Sequence, residues 1–207
     1  METIARPRRH TFVLKVPLLL TLTRVALAPV MVILAQRWPQ PSAFVLCLTL
    51  AFLSDVFDGI IARRLGIATA TLRRLGSIAD SVFYVASIYA IWIVSPDAIR
   101  AHLTLLGILA ALELARYLLD FARFRREAAY HMWSSKLWGV ALFIGFVAVL
   151  GTGETGWPML LATIPGIVAD LEGLLISCAL PTWRNDVPTL LHAWRIRRQT
   201  LRSESAP

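Results

Sequence analysis

The sequence predicts an all-α integral membrane protein with six transmembrane helices and a short N-terminal interfacial helix. Three observations predict it. Of 207 residues, 57% are hydrophobic and only 16% charged, against roughly 25% charged in an ordinary soluble domain, and the mean hydropathy is +0.64. Six stretches approach the about 20 mostly apolar residues that a spanning helix needs. Lys and Arg cluster in alternate connections, as the positive-inside rule requires. The same composition excludes a disordered chain. Cys47 and Cys178 sit inside apolar runs, which argues against a disulfide scaffold or a four-ligand zinc site. The net charge of +8, read beside long apolar runs, favours a membrane surface over nucleic acid as partner.

Residues 1–15 are read as a basic cytoplasmic or interfacial segment, with Phe12, Val13 and Leu14 beside Arg6, Arg8, Arg9 and Lys15. No small-residue cleavage site follows, so no secretory signal peptide is predicted. The membrane domain covers residues 16–181, with spans at about 16–36, 42–64, 72–95, 101–122, 134–152 and 156–181. Pro39 and Pro41, Gly66, Ser95-Pro96, Gly151 to Gly153 and Pro181 punctuate them. Pro29 and Pro165 fall inside spans, where a kink is tolerable. Residues 182–207 are read as a basic cytoplasmic tail.

Six spans put both termini on one side. Arg63, Arg64, Arg73 and Arg74 lie between spans two and three, and Arg123, Arg125, Arg126 and Lys136 between four and five. Further arginines flank both ends of the chain, whereas the opposite connections hold only Arg37 and Arg100. Both termini are therefore expected in the cytoplasm.

Ionisable residues inside a membrane are costly and mark function by default. The spans carry Arg24, Asp55, Asp58, Asp80, Glu113, Arg116, Asp120, Asp170 and Glu172. By position, all fall near the midplane or towards the cytoplasmic side, which predicts a polar cavity open to the cytosol. Asp55 and Asp58 stand at i, i+3 and share a helix face, with Gly59 and Ala62 one turn beyond them. Two carboxylates beside two small residues can hold a divalent ion and admit a bulky ligand. Oxygen-only ligation suits Mg²⁺ or Mn²⁺. Asp170 and Glu172 have a plainer reading as partners of Arg24 or Arg116 inside the protein.

Residues 55–80 read D-V-F-D-G-I-I-A-R-R-L-G-I-A-T-A-T-L-R-R-L-G-S-I-A-D. This resembles the signature of the CDP-alcohol phosphatidyltransferase family, D-x2-D-G-x2-A-R-x8-G-x3-D-x3-D. Asp55, Asp58, Gly59, Ala62 and Arg63 match its first half without a gap. Leu20 to Arg24, L-T-L-T-R, looks like the family's opening helix. The second half departs. The gapless register puts Leu72 in place of the glycine, Gly76 in place of the third aspartate, and Asp80 as the fourth. A register with a four-residue insertion makes Gly76 the glycine and Asp80 the third aspartate, leaving Tyr84 as the fourth. The gapless register is preferred because it needs no insertion. Either way one of four carboxylates is missing.

The resemblance implies transfer of a phosphatidyl group from CDP-diacylglycerol to an alcohol, with release of CMP. It implies Asp55, Asp58 and Asp80 as ligands of Mg²⁺ or Mn²⁺, Asp80 also as general base, and Gly59, Ala62 and Arg63 at the nucleotide. It further implies a homodimer. Arg73, Arg116, Arg123 and Lys136 are candidates for binding a phosphorylated acceptor, with glycerol 3-phosphate favoured by the excess of arginine. Two other readings compete: a degenerate member that binds CDP-alcohol or lipid without turnover, motivated by the missing carboxylate, and a transporter, disfavoured because the far half of the spans has no polar path.

Overall fold

The computed structural model describes residues 16–67, 69–126, 130, 132–184 and 186–204. The interfacial helix expected at residues 1–15 lies outside the described residues. Among those described, helix dominates and no strand occurs. The helices are α1 (Val16–Arg37), α2 (Pro41–Arg64), α3 (Ala70–Val94), α4 (Pro96–Ala101), α5 (Leu103–Phe124), α6 (Trp133–Thr152), α7 (Trp157–Ala179) and α8 (Leu190–Glu204).

The six predicted spans correspond to α1, α2, α3, α5, α6 and α7. Five of these are long and apolar enough to cross a membrane. The exception is α5, which has the length but carries Glu113, Arg116, Asp120 and Arg123. In the five, between 28% and 44% of the most apolar stretch is buried. Much of the remainder is exposed Leu, Ile, Val and Trp, a surface that water would not tolerate and lipid tails would. The chain is an integral membrane protein.

The chain divides into two compact units, Met1–Pro96 with Val149–Gly153, and Asp97–Ala148 with Glu154–Pro207. In the first, α1 packs along both α2 and α3. Ala28, Ala35, Ala51, Ala79, Ala86 and Ala90 are buried there; small residues let helices in lipid approach closely. Pro41 opens α2, where a missing N–H costs nothing. Gly66, at φ 67°, ends it: Gly66 N donates to Arg63 O at 3.2 Å and Ile67 N to Ala62 O at 3.0 Å. Such a close requires the left-handed conformation that glycine adopts without strain. The Thr69 hydroxyl then caps α3 by accepting from Leu72 N at 3.2 Å. This tight turn brings the charged end of α2 beside the start of α3.

In the second unit α7 packs against α5 and α8. The stretch 182–207, read as a tail, forms α8 over Leu190–Glu204. Its Ala193 joins a core with Tyr130, Met132, Ile176, Leu180 and Val187, and Leu190 and Ile196 pack against that core. Sequence reading missed this helix because only one narrow face of it is apolar and buried.

Candidate functional site

Arg24 lies on α1 and is 1% exposed. A guanidinium keeps its charge at any accessible pH, so a buried one must be met by anions. Three carboxylates meet it. Nη1 donates to Oδ1 of Asp55 and, at 2.7 Å, to Oδ1 of Asp80, and Nη2 donates to Oδ2 of Asp58. Asp55 and Asp58 come from one face of α2, as their spacing predicts, and Asp80 comes from α3. Exposure differs among the three: 52% for Asp55, 15% for Asp58 and 33% for Asp80. The cluster is thus closed around Arg24 and open at Asp55. Arg24 takes one oxygen from each carboxylate and leaves the other oxygen unengaged by it.

Thr21, one helical turn before Arg24, completes the group. Its hydroxyl lies 3.0 Å from both Pro17 O and Asp58 Oδ2, and its one proton serves either acceptor at a time. Sequence reading missed Thr21; its i, i+3 spacing to Arg24 was the available signal. Gly76 also faces this cluster: a Cβ built on it would stand 3.7 Å from Arg24 Nη2. Gly76 and Asp80 are one turn apart on α3. Ser77 is turned to its own helix, donating to Arg73 O at 3.3 Å.

Gly59, Ala62 and Arg63 lie on the same helix beyond the two aspartates. A Cβ on Gly59 would meet Arg63 Nη1 at 3.2 Å, so the Arg63 guanidinium folds back over the bare backbone of Gly59. Ala62 is buried, 5% exposed. Further along α1 and α3 runs an apolar groove, lined by Ala28, Val32, Val82, Val85 and Ala86, with a volume of about 450 Å³. It ends where Gln36 Nε2 donates to Tyr89 OH at 2.8 Å.

The other charges form groups inside the second unit. Arg116 Nε lies 3.3 Å from Asp170 Oδ1, and its Nη2 lies 3.8 Å from Glu113. This is the pairing anticipated for Asp170. Glu172 instead accepts from Ser134 Oγ at 2.6 Å and from Leu190 N at 3.2 Å, tying α7 to α6 and α8. Arg123, a candidate for acceptor binding, donates to the last carbonyls of α7, Cys178 O at 3.2 Å and Leu180 O at 2.9 Å. Arg73 is exposed, and Lys136 lies 4.4 Å over the Trp133 ring. Within the second unit, Arg116, Arg123 and Lys136 each make contacts with different partners. A buried relay also escaped sequence reading: Tyr130 OH lies 2.9 Å from Ser177 Oγ, which donates to Asp120 Oδ1 at 2.5 Å. Burial, aided by the Asp120 charge, pushes the Tyr130 phenol above its ordinary value.

Among the described residues, no group of three or more His, Cys, Asp or Glu side chains is placed to hold a metal ion. At the acidic cluster, Arg24 is the cation in the middle.

The sequence profile of the CDP-alcohol phosphatidyltransferase family matches residues 14–171, a stretch that contains Arg24, the whole acidic cluster and the groove. No curated protein and no solved structure matches the chain. The chain belongs to the CDP-alcohol phosphatidyltransferase family, whose members transfer phosphatidyl groups from CDP-alcohols in phospholipid synthesis and generally depend on a divalent metal.

Proposed function

We propose that this family member transfers the phosphatidyl group of CDP-diacylglycerol to an alcohol, with glycerol 3-phosphate the favoured acceptor, and releases CMP. The observation that carries this reading is the convergence of Asp55, Asp58 and Asp80 on one cationic group. A donor set made of carboxylate oxygens, already balancing a positive charge, fits a hard divalent ion. Asp55, Asp58 and Asp80 would hold Mg²⁺ or Mn²⁺ by the oxygens that Arg24 does not engage. Such an ion neutralises the diphosphate and stabilises the departing CMP phosphate.

The chain's own residues supply the rest. The acceptor oxygen bonds to the phosphatidyl phosphorus as the bond from that phosphorus to the CMP oxygen breaks. The acceptor's proton passes to the Asp80 carboxylate, acting as general base. Arg63 supplies positive charge for the diphosphate from the same end of α2. The groove from Ala28 to Gln36 takes an acyl chain, which keeps the lipid's headgroup level with Arg24. The arginines at the α2–α3 turn put this end in the cytoplasm by the positive-inside rule.

One observation favours a second reading, a member that binds CDP-diacylglycerol without turnover: Arg24 occupies one oxygen of every carboxylate, and Gly76 offers none. CMP release from CDP-diacylglycerol by the purified protein, with Mg²⁺ or Mn²⁺ and a pool of alcohols, separates the two. Metal-dependent release lost in Asp80→Asn supports transfer. Binding of CDP-diacylglycerol with no CMP formed supports the second reading.

A further inference from the structure

We infer that Arg24 is a built-in counter-ion that limits the acidic cluster to a single divalent cation. The inference rests on the metal reading above and concerns what this chain's own residues do to it. Three carboxylates against one guanidinium leave a local charge of −2. One divalent ion balances that charge. A second would leave an excess of +2 in a place where Arg24 is 1% exposed and water is scarce. Arg24 cannot relieve the excess by losing a proton. It is also poorly placed to leave. Thr21, Ala28 and Met31 on its own helix are buried with it, and its Nε has no hydrogen-bond partner. The guanidinium is held through its Nη atoms, by the three carboxylates and, at 3.5 Å, by the Thr21 hydroxyl.

Gly76 is the other half of the device. It stands one turn before Asp80 on the face that meets Arg24, and a Cβ there would make ordinary contact at 3.7 Å with Nη2. A Cβ therefore fits there without a clash. A carboxylate at this position would reach Arg24 beside Asp58 and raise the local charge to −3. With glycine, the cluster stays at the charge that one ion satisfies.

The test counts bound metal. The purified full chain in detergent is titrated with Mn²⁺, following free ion by electron paramagnetic resonance and heat by calorimetry. One Mn²⁺ per chain is expected. Gly76→Asp should bind Mn²⁺ at least about tenfold more tightly or accept a second ion, since a unit charge within a few ångströms acts strongly in a partly desolvated site. Arg24→Gln should accept a second ion, and its melting temperature should become dependent on Mn²⁺, because the metal then replaces the lost counter-charge. Arg24→Lys keeps the charge and should return to one ion. Two ions on the parent chain overturn the inference while leaving the metal reading intact. Unchanged affinity and stoichiometry in Gly76→Asp overturn it even if the Arg24 variants fail to fold. No Mn²⁺ on the parent chain overturns the metal reading itself, and the inference with it.

Discussion

Thr21→Val isolates one hydrogen bond at the edge of the acidic cluster. Thr21 is 3% exposed, and valine keeps its branched shape, so no cavity forms and only the hydroxyl is lost. That hydroxyl has two acceptors at 3.0 Å, the Pro17 carbonyl and Asp58 Oδ2. A bond back to the carbonyl four residues earlier adds little to a helix. A bond to an ionised carboxylate contributes about 1.5–3 kcal/mol. If the proton goes to Asp58, the substitution should cost about 2 kcal/mol, or roughly 4–8 °C of melting temperature for a chain of this size. Thermal unfolding in detergent, followed by tryptophan fluorescence, reads this directly. Thr21→Ser keeps the donor and should lie near the parent protein. A valine variant that melts within about 1 °C of the parent would show that the proton belongs to Pro17 and that Asp58 depends on Arg24 alone. Such a result would refute the reasoning.

Three further outcomes follow from the same geometry. Val85→Phe narrows the groove from an exposed position on α3, so CMP release should show a raised KM for long-chain CDP-diacylglycerol, relieved by short-chain substrate, with little change in melting temperature. Arg123→Gln removes two charge-assisted bonds to the end of α7 and should destabilise by about 1.5–3 kcal/mol; a large rise in acceptor KM without loss of stability would instead assign Arg123 to acceptor binding. Tyr130 has a phenol raised by burial, so its contribution to stability is complete below its unfolded value of about 10 and is lost as pH rises above it. Tyr130→Phe should flatten the alkaline fall in melting temperature.

How far the sequence could be read depended on whether a signal was local. Long apolar runs mark their helices because the membrane imposes length and composition on each run separately, and every predicted span has its helix. The face shared by Asp55 and Asp58 follows from helical spacing in the same way. The partner of Arg24 was not local. Its carboxylates lie 31, 34 and 56 residues along the chain, and nothing in α1 says which acid will reach it. Sequence reasoning left Arg24 and Arg116 as alternative partners for Asp170 and Glu172; Asp170 pairs with Arg116, and Glu172 holds Ser134 and the start of α8. The helix α8 was missed for a related reason: its buried residues, Ala193 above all, are legible only once Tyr130, Ile176 and Leu180 are seen beneath them.

The acidic cluster shows why spacing alone understated this site. A motif of carboxylates suggests a cavity awaiting a cation, and counting acids then suggests how many cations. Burial changes the count. Three aspartates in a membrane span would repel one another and be driven to take up protons. Arg24 offsets part of that pressure by remaining charged at their centre, with Thr21 beside Asp58 as a neutral donor. On the inference drawn above, glycine at position 76 adds no further acid beside Arg24 and keeps the balance between one permanent cation and the acids around it near the value that one divalent ion can neutralise. For this cluster the quantity that predicts chemistry is the net charge of the buried group, and that quantity includes a residue the motif does not contain.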